Sequence, residues 1–145
     1  MSTLKLNINW KLILAISILG LLHGVLSLFG IVRGWEQTIW IVFGLLSIIS
    51  IVWKVKTNFF LHGLLMGLGI TLFTGLPQSF FLDTYLNANP DIREQLDPTK
   101  NYSLFVLAFI PVFGSVYGLL IGIISLGIKR LTKNKREVNN DKSLL

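Results

Sequence analysis

The chain contains no cysteine, which excludes disulfides, thiolate nucleophiles, iron–sulfur clusters and every cysteine-ligated zinc site. Charge is nearly as scarce. Only 14% of the 145 residues are Asp, Glu, Lys or Arg, where a soluble domain carries about a quarter. No phosphate-cradling glycine loop, no zincin histidine pair and no carboxylate pair inside an apolar run occurs, so the sequence reads as a non-enzyme with no cofactor and no catalytic residue. The two histidines, His23 and His62, cannot hold zinc by themselves, because zinc asks for three or four ligands.

What the chain has in quantity is apolar sequence. Hydrophobic residues make up 52% of it, with a mean hydropathy of +0.68. A bilayer core about 30 Å thick needs roughly 20 apolar residues in helix, since no lipid-facing backbone group can be left unpaired. Four segments meet that need, at 12–32, 37–53, 58–76 and 103–128. The expected architecture is an all-α, integral membrane four-helix bundle over residues 12–128, between an N-terminal segment 1–11 and a basic tail 129–145. Pro77 is expected to kink or end the third helix, whereas Pro111 is tolerable inside the fourth. A signal peptide is the rival reading of the first segment, but its apolar stretch of 21 residues exceeds the usual ~7–15.

The net charge of +6 resolves into two faces. With the N terminus inside, Lys5, Lys11, Lys54, Lys56, Lys129, Arg130, Lys133, Lys135, Arg136 and Lys142 fall on one side, against Arg33, Arg93 and Lys100 on the other. This asymmetry predicts a multi-pass protein of the cell membrane with both termini cytoplasmic. It also explains the basic balance without nucleic acid as a partner. Trp10 and Trp53 then lie at inner helix ends, and Trp35 and Trp40 at outer ends, where indoles prefer to sit.

Thirteen glycines are present, and only Gly34 reads as part of a connection. The others form stripes at helical spacing: Gly20 and Gly24 in the first helix, Gly63, Gly67 and Gly75 in the third, Gly114, Gly118 and Gly122 in the fourth. Small residues let helix backbones approach closely, which matters in lipid because apolar side chains gain little there by associating. Depth counted at about 1.5 Å per residue pairs Gly20 with Gly118 and Gly24 with Gly114. The first and fourth helices are therefore expected to cross there and close a ring.

Five polar residues inside the apolar runs are candidates for a functional role: His23, Tyr117, His62, Thr71 and Thr74. His23 and Tyr117 sit at matching depth and are expected to hydrogen-bond each other. His62 lies level with Ser50 and Ser125 and could form an inner polar layer with them. In the longer external loop, residues 83–101, Asn89, Pro90 and Asp91 predict the start of a short surface helix. Lys129, Arg130, Lys133, Lys135 and Arg136 anchor the topology and are candidates for attraction to anionic lipids. Residues 139–145 are expected to be unstructured.

Two functional readings follow. The first is a structural, accessory or immunity-like membrane subunit acting through helix packing, with a membrane-protein partner or a second copy of itself. The alternative is an oligomeric small-solute transporter or channel with a polar path near His23, Tyr117, Thr71 and Thr74. A closed core in which His23 and Tyr117 satisfy each other would favour the first; an empty, polar-lined cavity at the midplane would favour the second.

Overall fold

The computed structural model describes residues 7–97 and 102–142. Its helices are α1 (Trp10–Leu28), α2 (Glu36–Lys54), α3 (Phe59–Phe80), α4 (Leu82–Ala88), α5 (Pro90–Arg93) and α6 (Ser103–Lys142). Four of them, α1, α2, α3 and α6, are long and apolar enough to cross a membrane.

Local chemistry sets the ends. Asn9 caps α1, its side-chain oxygen accepting from the Leu12 N–H at 3.2 Å. At the other end Gly30 adopts φ +68°, its N–H bonds to the Ser27 carbonyl at 3.1 Å, and the Ile31 N–H reaches back to Leu26 at 3.2 Å. This is a Schellman ending. It stops α1 at Leu28 and not at residue 32, and it makes Gly30 a second glycine in the connection. Asn58 holds the left-handed φ of 58° ahead of α3, a conformation that Asn tolerates better than most residues.

Two helices run further than expected. Pro77 lies inside α3, which continues to Phe80. Gly75 and Ser79 on either side of it are buried against neighbours, and tertiary packing of this kind outweighs the loss of one backbone donor. Similarly α6 passes through residues 139–142 as helix; residues 143–145 lie outside the described chain.

Packing centres on α3. Gly63 meets Gly122, Gly67 meets Gly118, Thr71 meets Gly114 and Gly75 meets Ile110, so each step of four along α3 is matched by a step of four back along α6. A Cβ on Gly118 would stand 2.7 Å from the Leu64 carbonyl oxygen, and one on Gly122 equally close to that of Phe60. Backbone therefore lies on backbone in an antiparallel seam. The other side of α3 receives α1 in parallel: Gly20 faces Ile70, and a Cβ on Gly24 would lie 2.6 Å from the Thr74 oxygen. The glycines of α1 thus face α3, and the expected pairing of Gly20 with Gly118 and Gly24 with Gly114 does not form. Depth arithmetic places residues along the helix axis but is silent about direction around it, and α3 is the neighbour that the stripes of both α1 and α6 select.

The bundle has two distinct ends. At one, Leu12, Ile13, Ile51, Val55, Met66 and Ile121 form a buried apolar cluster. Two polar ties reinforce that end. The Asn9 N–H donates to His62 Nε2 at 3.0 Å, and Lys129 Nζ donates to the Val52 carbonyl at 3.0 Å. At the other end α4 and α5 fold back over the close of α1. Asn89 is buried there, and its Nδ2 donates to the carbonyls of Ser27 at 3.1 Å and Tyr85 at 2.8 Å. It precedes α5 without capping it through its side chain.

Candidate functional site

Between α1, α2, α3, α4 and α6, toward the α4 end, lies a cavity of about 220 Å³. His23 comes from α1, Glu36 and Trp40 from the first turns of α2, Thr71, Thr74 and Gln78 from α3, and Tyr85 from α4. The α6 side is apolar, made of Val106, Phe109, Ile110 and Phe113. A polar half and an apolar half thus face each other.

The glycine contacts explain how these groups come to converge. Because Gly24 brings α1 onto the backbone of Thr74, the Thr74 hydroxyl can donate to the Gly20 carbonyl across the interface at 3.0 Å. His23, one residue before Gly24, then turns toward α2. It meets Trp40 and Phe43 edge-on, with ring centroids 5.8 Å and 5.9 Å away. Gln78 is in reach because α3 continues past Pro77, and its Nε2 donates to Ser27 Oγ at 2.8 Å.

Within the cavity the hydrogen-bonding account is unequal. Thr71 donates to the Gly67 carbonyl of its own helix at 2.7 Å, and Thr74 and Gln78 are occupied as described. By contrast, both ring nitrogens of His23 and Oε1 of Glu36 are buried with no hydrogen-bond partner among the described residues. His23 is only 3% exposed. An unpaired buried polar group costs on the order of 1–3 kcal/mol, so these three atoms mark a place where a hydrogen-bonding partner would be favoured. The carboxylate of Glu36 sits in the first turn of α2, where the helix dipole favours negative charge. Arg33, the nearest base in sequence, is engaged elsewhere, its Nη2 lying 2.5 Å from Asp91 Oδ2.

Tyr85 completes the polar wall. Burial pushes its phenol up to about 12, and the Glu36 carboxylate nearby adds to the rise. It is a neutral hydroxyl throughout the physiological range.

Tyr117 stands behind the cavity and does not line it. Its hydroxyl donates to the carbonyl of Trp40 at 2.5 Å, its ring packs edge-on against Trp40 at 5.4 Å and stacks on Phe113 at 6.1 Å. The expected hydrogen bond between His23 and Tyr117 is therefore absent. Trp40 separates them, its indole nearly perpendicular to the His23 ring and its carbonyl accepting from Tyr117. That carbonyl is accessible because residue 44, one turn on, is glycine: a Cβ there would lie 3.1 Å from the Tyr117 oxygen.

His62 belongs to the opposite end. Its Nδ1 lies 2.9 Å from the Asn58 carbonyl and its Nε2 accepts from Asn9, so the neutral ring with the proton on Nδ1 has both nitrogens satisfied. These partners, and not Ser50 or Ser125, occupy it. The Ser125 hydroxyl is buried with no partner among the described residues. No group of three or more His, Asp or Glu that could hold a metal ion occurs among the described residues.

Of the five intramembrane candidates, then, His23, Thr71 and Thr74 converge, while Tyr117 and His62 do not join them. Glu36 and Tyr85 do not stand out in the sequence as candidates. Glu36 reads as an outer-face charge in the turn that begins at Arg33, and in the fold that arginine is bonded to Asp91. Among the basic candidates, Lys129, Arg130 and Lys133 border a groove at the other end, whereas the side chains of Lys135 and Arg136 lie outside the described residues. No family model matches the chain, and neither the curated proteins nor the solved structures contain a match to it.

Proposed function

We propose that the chain is a non-enzymatic, multi-pass protein of the cell membrane, with both termini cytoplasmic, that binds a small solute in the cavity beside His23 and Glu36. The observation that carries this reading is that two residues lining the cavity, His23 and Glu36, carry buried polar atoms with no hydrogen-bond partner among the described residues: His23 Nδ1 and Nε2, and Glu36 Oε1. A carboxylate can only accept hydrogen bonds, and a neutral imidazole has one acceptor and one donor. Their joint complement is a solute rich in N–H or O–H donors, cationic where it meets Glu36, with a compact apolar part against Phe109, Ile110 and Phe113. The volume of about 220 Å³ lies below the roughly 300–1,000 Å³ of most ligand pockets, which sets the scale as a small organic cation or polyol. Transport is the natural use of such a site in a membrane, and with both termini cytoplasmic, as proposed from the charge asymmetry, the cavity would lie in the outer half.

The packing supports this reading over a purely structural or accessory subunit. All eight stripe glycines, Gly20, Gly24, Gly63, Gly67, Gly75, Gly114, Gly118 and Gly122, abut other residues of this same chain. The close-approach surface is consumed within the monomer and is not held open for a partner helix or a second copy.

The test is thermal stability of the purified protein in detergent with methylammonium, guanidinium and small polyols. Saturable stabilisation that disappears in Glu36→Gln supports the reading. A protein indifferent to every member of the series speaks for the structural role.

A further inference from the structure

At the end of the bundle opposite the cavity, α2 and α6 diverge around a groove of about 680 Å³, within the usual size of ligand sites. Four cationic residues border it: Lys56, which follows α2, and Lys129, Arg130 and Lys133 of α6. No acid lines it among the described residues. Its floor is apolar, made by Val52, Phe59 and Leu126, and Trp53 forms one wall while remaining 81% exposed.

The four cations are not equivalent. Lys129 is half-buried and fixed, with Nζ on the Val52 carbonyl at 3.0 Å and 5.7 Å from the centre of the Phe59 ring. The Val52 oxygen is one of the last-turn carbonyls of α2 that no helical N–H can reach, so the lysine answers a structural need and is immobilised by it. A cation held in place before a ligand arrives spares that part of the ordering cost on binding. Arg130 presents the planar fork that matches phosphate oxygens. Lys56 and Trp53 come from the α2 side, so the groove is bordered on two sides and is more than the basic face of one helix.

We propose that this groove is a discrete site for the phosphodiester headgroup of an anionic phospholipid. The charge complementarity is one-signed, and the apolar floor leads from the cations toward the lipid-facing surfaces of α2 and α6, where a glycerol backbone and acyl chains would continue. Trp53 lies at headgroup level, as indoles prefer. This goes beyond a diffuse attraction of the basic tail, because it names Lys56 and Trp53, outside that tail, as members of the site. It stands at the other end of the molecule from the solute cavity and does not depend on it.

Native mass spectrometry of the protein in detergent, titrated with phosphatidylglycerol or with phosphatidylcholine, tests the proposal. The wild type is expected to retain phosphatidylglycerol in a one-to-one complex and to release phosphatidylcholine. Lys56→Gln with Arg130→Gln, both at exposed positions, should weaken retention about thirtyfold, given the strength of single basic contacts near a membrane surface. Lys11→Gln with Lys54→Gln removes the same charge from the same end outside the groove, and should leave retention unchanged. Equal losses in the two double variants, or equal retention of the two lipids, would overturn the site. Matched melting temperatures for both variants confirm that the fold is intact.

Discussion

The hydroxyl of Tyr117 donates to the backbone carbonyl of Trp40 across 2.5 Å, tying α6 to α2 at a point where the two helices otherwise meet through aromatic edges. That single bond leaves His23 without the partner the sequence offers it. Loss of the hydroxyl in Tyr117→Phe should lower stability in detergent by about 0.6–2 kcal/mol, read as a drop in Tm, with the stacked ring still in place on Phe113. A double-mutant cycle between Tyr117→Phe and His23→Leu should report only coupling relayed by Trp40, which both side chains contact, and that coupling should vanish when the cycle is repeated in Trp40→Ala.

The seam between α3 and α6 gives a sharper contrast. Gly118 faces backbone, with a Cβ position 2.8 Å from the Leu64 Cα, whereas Gly127 on the same helix has nothing within 4 Å. Gly118→Leu should therefore reach or exceed the upper end of the about 1–3 kcal/mol cost of overpacking, and Gly127→Leu should stay within about 0.5 kcal/mol of the wild type. Thermal unfolding of both variants in one detergent checks the difference.

Much of this architecture is legible in the sequence, and the illegible part has a definite physical character. Apolar length identifies four candidate spans because the bilayer sets that length, and glycine spacing marks which faces of α1, α3 and α6 make close contact. Which helix each face meets is another matter. Gly20 and Gly24 match Gly118 and Gly114 in depth, yet they lie on Ile70 and Thr74, since azimuth depends on all the helices together. The cavity was half legible: His23, Thr71 and Thr74 stand out as polar residues in apolar runs. Glu36 does not, because what surrounds it is set by elements far along the chain: Tyr85 of α4 beside it, and Asp91, 58 residues on, which engages the neighbouring Arg33; no local pattern encodes that.

Asn89 holds the α4 and α5 segment against α1, donating to the carbonyls of Ser27 and Tyr85. Asn89→Ala leaves those buried oxygens with one donor fewer, and should cost about 1–3 kcal/mol. Because this segment carries Tyr85, hydrogen exchange in residues 82–93 should rise more than in α3, a comparison that separates local release from global destabilisation.

Tyr85 supplies a pH dependence. Its phenol is raised from 10.0 to about 12, chiefly by burial and secondarily by Glu36. A group whose folded pKa lies above its unfolded value contributes stability that is fully present below the unfolded pKa and is lost as pH rises through the folded one. The Tyr85 contribution should accordingly be intact below pH 10 and fade between pH 10 and about 12. Chemical denaturation across that window should show a shallower loss in Tyr85→Phe, and Glu36→Gln should shift the phenol downward in an ultraviolet titration.

The solute site itself is tested most directly by the fluorescence of Trp40, which lines the cavity. A variant with Trp10, Trp35 and Trp53 replaced by Phe retains that indole alone, and can be titrated with methylammonium or guanidinium in detergent. Trp40 emission is expected to change saturably, the change being abolished by Glu36→Gln and weakened by His23→Leu, with both variants still folded. An emission that stays flat across the series, or one that responds equally after Glu36→Gln, would contradict the solute site.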